Sequence, residues 1–313
     1  MKKSRKRENI STRRVELVRT LQNLSTEQRN AATSKIDTLS PLKIVRIINR
    51  EDKKVATVVA KALPSIARAA KLYADTLRKG GRVIYIGAGT SGRLGVLDAA
   101  ECPPTFGTDP RQIVGLISGG HGALILSREG AEDREDWAVA DLKKIRFSRK
   151  DLLIGIAASV RTPYTIAGIR YARSAGAKTV LIVCNKAAAL KARPDILIEL
   201  PVGPEAITGS TRMKSGTAQK MTLNLISTTA MILLGKTYGN LMVDLQARSE
   251  KLAARSRKIL MEFLKIGYAE ADRLLVEAGG SVKTAIVMNR LSLDRKKAEE
   301  RLKKAGGFLR KLL

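Results

Sequence analysis

The sequence predicts an α/β protein: a doubly wound, five-stranded parallel sheet with a helical lead-in before it and a small helical bundle after it. Five short β-rich runs, Arg82–Ile86, Ile113–Ser118, Leu152–Ala157, Thr179–Cys184 and Ile196–Leu200, alternate with helical or loop patterns. The first run breaks into Gly87-Ala88-Gly89-Thr90-Ser91-Gly92-Arg93 and then continues helically, which reads as strand, phosphate-sized loop and helix. In such a sheet the ligand site lies where strand ends meet helix starts.

Residues 1–25 form a basic arm, with a weak apolar period at Val15, Val18 and Leu21. Residues 26–242 hold the sheet domain and its lead-in, and residues 243–313 a C-terminal helical domain. In the lead-in, Ser40-Pro41 is suited to a helix start, and Glu51 to Arg78 carries a helical apolar pattern that Lys79-Gly80-Gly81 stops. After the fifth strand a loop leads into a long helix from about Ser210 to Leu234. Gly279-Gly280 and Gly306-Gly307 punctuate the short helices of the tail.

Composition narrows the function classes. At 313 residues and 44% apolar content the chain buries a sizeable core. Two cysteines, Cys102 and Cys184, build neither a disulfide framework nor a metal pattern, so reduced cytoplasmic thiols are the expectation. The basic start lacks a following apolar segment, and Met221–Gly235 is too polar and short to span a bilayer. Net charge is +29, spread along the chain: residues 1–25 carry eight Lys/Arg against two Glu, and residues 289–313 carry nine against three acids. With four Phe and one Trp, stacking aromatics do not accompany the basic residues, so specific nucleic-acid binding is disfavoured and anionic small substrates are favoured.

Gly87, Gly89 and Gly92 satisfy a dinucleotide fingerprint, but the second strand ends Ile117-Ser118-Gly119-Gly120, without the acid that would hold a ribose. Thr90 and Ser91 at a helix N-terminus suit a compact phosphate monoester better. Ser159 and Thr162, before Pro163, form a second hydroxyl-bearing helix start, and Ser210 and Thr211 form a third. Three such turns at one sheet edge point to a phosphosugar pocket. Glu101 ends the helix begun at Gly92, where Cys102-Pro103-Pro104 is expected to force the chain out of helix. Glu132 lies in Glu129-Gly130-Ala131-Glu132-Asp133. With His121 the only histidine and no metal cluster in the sequence, proton transfer falls to carboxylates, Lys or Tyr.

The stretches Gly87–Thr105 and Gly203–Lys220 closely resemble the N-acetylmuramic acid 6-phosphate etherases, a family with the sugar isomerase (SIS) fold. The likeness extends from Thr26–Asn30 through Gly235–Asp244 to Ala278–Ile286. It implies a bacterial cytoplasmic carbon–oxygen lyase of cell-wall recycling, a homodimer without metal or organic cofactor, that converts its substrate to N-acetylglucosamine 6-phosphate and D-lactate. By the same resemblance Glu101 is the acid–base residue and Glu132 assists. Glu205 is a third candidate carboxylate, with helix capping or a subunit contact as its other reading. Arg93, Arg161, Arg212 and Lys214 are candidates to hold phosphate or lactyl carboxylate. The glucokinase regulatory protein is also similar in both long stretches, so a sugar-phosphate sensor is the alternative, and a DNA-binding regulator of this fold is a further rival.

Two positions depart from the family's pattern. Val160 stands where the second phosphate loop usually has glycine, and His121 where glutamate is common. If the turn needs positive φ, valine there is strained and crowds the phosphate, so Val160→Gly is expected to lower the Michaelis constant.

Overall fold

The structure, a computed structural model, describes residues 22, 24–186, 192–245 and 250–313. The apolar period at Val15, Val18 and Leu21 lies outside them. Short 3-10 turns, the first at Ser25–Glu27, lead into α1 (Pro41–Lys61) and α2 (Leu63–Arg78). Pro41 takes the first helical turn, as expected of the Ser40-Pro41 pair. The pattern from Glu51 to Arg78 is not one helix: it breaks at Ala62, because Pro64 in the next turn lacks the N–H that a continuous helix would use.

The sheet contains β1 (Val83–Gly87), β2 (Ile113–Ile117), β3 (Leu152–Ala157), β4 (Lys178–Val183) and β5 (Ile196–Glu199), ordered β2-β1-β3-β4-β5 and all parallel. The connections are α3 (Gly89–Phe106), α4 (Gly122–Ile125), α5 (Glu135–Lys144) and α6 (Pro163–Ser174), and α7 (Lys214–Leu233) follows β5. Side-chain alternation distributes the strands between two cores. Tyr85, Ile154, Ile156 and Ile182 pack with α1, α2, α3 and α7, whereas Ile84, Ile86, Leu153 and Leu181 pack with α5 and α6. Both faces are covered, which is why each strand reads as a continuous apolar run.

Cys102-Pro103-Pro104 does not end α3. The helix carries both prolines to Phe106 and stops at Gly107, at φ 63°, whose N–H reaches the Pro103 carbonyl. The prolines remove only the bonds back to Ala99 and Ala100, a loss that a last helical turn tolerates. The long helix starts at Lys214, not Ser210, because residues 207–213 turn on Gly209 at φ +75°.

Beyond α7 a two-strand hairpin, β6 (Thr237–Tyr238) and β7 (Leu241–Met242), precedes α8 (Glu250–Leu264), α9 (Tyr268–Glu277), α10 (Val282–Leu291) and α11 (Arg295–Lys304). These helices share their own apolar cluster, which includes Val243, Leu260, Ile286 and Leu309. Gly279-Gly280 and Gly306-Gly307, all at positive φ, follow α9 and α11. Among the described residues no helix is long and apolar enough to cross a membrane.

Candidate functional site

Strand order reverses around β1: the chain moves outward to β2, then returns past β1 to β3. At the carboxyl ends of these strands lies a cavity of about 320 Å3, at the switch point where open α/β sheets bind ligands. Three hydroxyl-bearing turns and one acidic turn line it.

The first wall is Ala88–Ser91. Gly87 and Gly92 let strand end and helix start touch, since a Cβ on Gly92 would lie 2.7 Å from the Gly87 carbonyl. Thr90 and Ser91 therefore stand in the first turn of α3, beside backbone N–H groups that no helical carbonyl uses. Ser91 is buried and donates to Oε1 of Gln219 on α7 at 2.9 Å, while Gln219 Nε2 has no hydrogen-bond partner among the described residues. Reversing that carboxamide makes Nε2 the donor and frees the Ser91 proton for a ligand.

The second wall is Ala158, Ser159 and Thr162, before Pro163 opens α6. Ser159 Oγ accepts the Arg161 N–H and lies 3.5 Å from Thr162 Oγ1. Val160 is not at positive φ, does not line the cavity, and packs on the α5–α6 core. The strain and crowding expected of it are absent. Of the third turn, Gly209 and Thr211 line the cavity, whereas Ser210 and Arg212 do not.

Glu132 lines the cavity from a 3-10 turn, Ala131–Asp133, that buried Ser118 ties to the end of β2 by donating to the Ala131 carbonyl. Glu129 and Arg128 share this wall, and Arg93 faces it while donating from Nε to the Leu124 carbonyl at 3.0 Å. Glu27, from the turn before α1, is a further carboxylate there. Sequence reasoning missed Glu27, Arg128 and Glu129; the last two adjoin the acidic motif, and Glu27 lies in the Thr26–Asn30 stretch.

The structure does not bring Glu101 to this cavity. Ten residues of helix separate it from Ser91, about 15 Å of rise, more than a glutamate side chain spans. Glu101 is exposed and lines a second cavity of about 400 Å3 between α3 and α7, with Leu94, Leu97, Lys220 and Leu223.

Glu205 and Lys214 also have other work. Glu205 is fully buried and accepts the backbone N–H groups of Lys214 and Ser215, each at 2.9 Å, capping α7. Lys214 Nζ is buried against Glu51. Arg161 is exposed and off the cavity, and His121 precedes α4 without lining it.

The model of the glucokinase regulatory protein N-terminal SIS domain matches residues 65–173, and the SIS domain model matches residues 140–229. An N-acetylmuramic acid 6-phosphate etherase of Geobacillus sp. (strain WCH70) is 51% identical over 293 residues, covering 94% of this chain and 99% of its own. That of Rhodopirellula baltica is 51% identical over 293 residues, covering 94% of this chain and 97% of its own. Among solved structures, a phosphoheptose isomerase from Neisseria gonorrhoeae aligns with TM-score 0.47 and 15% identity over 61% of this chain and 98% of that one. With half of its residues shared along almost its whole length, the chain belongs to the SIS-fold N-acetylmuramic acid 6-phosphate etherase family.

Proposed function

We propose that the chain cleaves the lactyl ether of N-acetylmuramic acid 6-phosphate by elimination and hydration, giving N-acetylglucosamine 6-phosphate and D-lactate, in cytoplasmic recycling of cell-wall sugars. The observation that carries this reading is the switch-point cavity, where two helix N-termini bearing hydroxyls face Glu132, a carboxylate without a partner among the described residues. Thr90, Ser91, Ser159 and Thr162 suit the phosphate, because free N–H groups and helix dipoles there favour an anion.

The chemistry is within reach of carboxylates. An ether oxygen leaves poorly, but opening the sugar to its aldehyde acidifies the hydrogen on carbon 2. A base removes that proton, the carbon 2–carbon 3 double bond forms, and an acid protonates the departing lactate oxygen. Water then adds its oxygen to carbon 3 and a proton returns to carbon 2. Each positioned proton-transfer group contributes roughly 100- to 10,000-fold. Glu132 serves the abstraction at carbon 2.

Glu101 is assigned the acid and water-activating role, which one chain alone cannot deliver to its own cavity. The protein therefore acts as a homodimer in which Glu101 of the partner subunit completes the site. Leu97, 47% exposed beside Glu101, supplies apolar surface for that contact.

The test is D-lactate release in oxygen-18 water. Solvent oxygen is expected on carbon 3 of the product sugar and not in lactate. Label in lactate overturns the mechanism, and sugar-phosphate binding without lactate release overturns the enzyme reading in favour of a sensor.

A further inference from the structure

We propose that Glu27 is the hydroxyl-reading residue of this cavity: its carboxylate accepts hydrogen bonds from sugar hydroxyls and so selects a phosphosugar over a bare phosphate. The inference rests on the phosphosugar reading and adds a residue from outside the sheet domain's own loops.

Glu27 lies on a single 3-10 turn, Ser25–Glu27, which the rest of the cavity holds in place. Ser25 Oγ donates to Asn185 Oδ1 at 2.8 Å, and Asn185 Nδ2 donates to Thr26 Oγ1 and to the Ala158 carbonyl, each at 3.1 Å. Asn185 is 2% exposed and Thr26 fully buried, so this connection is internal. The Gly209 N–H donates to the Thr26 carbonyl at 3.3 Å. The turn is thus bolted to the second phosphate loop through Ala158 and to the third loop through Gly209.

Its side chain is left without a partner. The Glu27 carboxylate lines the cavity and makes no hydrogen bond or ion pair with any described residue. Gly209 is built around it: a Cβ there would come within 3.1 Å of Glu27 Oε2, at a φ of +75° that also favours glycine. An ionised carboxylate only accepts hydrogen bonds, so its ligand partner must be a donor. A phosphate dianion and a lactyl carboxylate offer no donor and repel it. Sugar hydroxyls are the donors a phosphosugar brings.

Placement gives the carboxylates separate duties. Glu132 enters from the β2 edge, whereas Glu27 is fixed from the side of β3 and β4, through Ala158 and Asn185. Strands spaced about 4.8 Å apart put three steps between β2 and β4. Both carboxylates line one cavity with the helix starts, so a sugar held there by its phosphate can present carbon 2 to Glu132 and its hydroxyls to Glu27.

Titration calorimetry of wild type, Glu27→Gln and Glu27→Ala, with inorganic phosphate and N-acetylglucosamine 6-phosphate as separate probes, tests this. Both variants are expected to bind the sugar phosphate about 10- to 100-fold more weakly, with inorganic phosphate bound as well as or better than by wild type. Matched melting curves show that the turn still folds. Equal weakening toward both probes marks a structural role and overturns the proposal, as does no change toward either. Lactate release by wild type separates the two readings. Release with no selective effect at Glu27 sinks this inference alone, and a wild type that binds inorganic phosphate but no sugar phosphate sinks both.

Discussion

Lys214 Nζ lies 2.6 Å from Glu51 Oε2, and both side chains are almost wholly withdrawn from water, at 2% and 3% exposed. This pair pins α1 to the first turn of α7, immediately after the loop that brings Gly209 and Thr211 to the cavity. Burial alone would raise the Glu51 carboxyl; hydrogen bonds from Lys214, Lys54 and Asn30 outweigh it and hold the group at about 2 against an ordinary 4.5. Lys214→Met leaves the buried carboxylate to Lys54 and Asn30 and is expected to cost about 2–3 kcal/mol, with the double variant Glu51→Gln/Lys214→Met recovering part of it. Urea midpoints measure both.

The same pair sets a pH dependence. Unfolded, Glu51 takes up its proton near 4.5; folded, it resists until about 2. Its stabilisation, about 3 kcal/mol, is complete above the unfolded value and lost as pH falls through that window. Wild type should therefore lose its advantage over the double variant between pH 4.5 and pH 2. A constant difference across that range would show that Glu51 is not the titrating group.

Much of this architecture is legible in the chain because local pattern and tertiary position agree. All five strands lie within a residue of their apolar runs, since burial on both faces leaves no polar alternation to blur their ends. The loops at Ser91 and Ser159 are legible because a hydroxyl beside a helix start carries its own chemistry. Glu27 is not, because its polar neighbourhood acquires meaning only through Asn185 and Gly209, 158 and 182 positions further on. Glu101 is the converse case: it follows the phosphate loop in sequence, yet helical rise takes it about 15 Å from the cavity of its own chain.

That separation gives the dimer a decisive test. Glu101→Gln and Glu132→Gln should each lower lactate release by at least about 100-fold. If sites are shared between subunits, unfolding and refolding an equal mixture yields heterodimers in which one cavity keeps Glu132 and faces Glu101 of the partner subunit. Roughly a quarter of wild-type activity should return. Activity that stays at the level of the single variants would place both carboxylates in one chain or exclude one from the reaction.

Asn185 joins three groups, the Ser25 hydroxyl, the Thr26 hydroxyl and the Ala158 carbonyl, with its carboxamide wholly inside the protein. Asn185→Ala removes these bonds and leaves the Thr26 hydroxyl and Ala158 carbonyl without this donor, an expected cost of about 2–3 kcal/mol. Because the turn that carries Glu27 is released, sugar-phosphate affinity should fall more than phosphate affinity. Urea unfolding and calorimetry report the two effects separately. Lost stability with unchanged selectivity would show that Asn185 supports the core without positioning Glu27.

Val160 decides between loop sequence and loop geometry. Sequence pattern favours glycine at this position and predicts tighter binding from Val160→Gly, but the backbone is not at positive φ and the side chain is turned into the apolar cluster beneath the loop. Glycine would therefore gain no allowed conformation that the loop uses, while the unfolded chain would gain freedom and the half-buried methyl groups would be lost. The expected outcome is a Michaelis constant within about two-fold of wild type and a stability loss of about 1–2 kcal/mol. A Michaelis constant several-fold lower would mean that substrate draws the loop into a conformation valine resists.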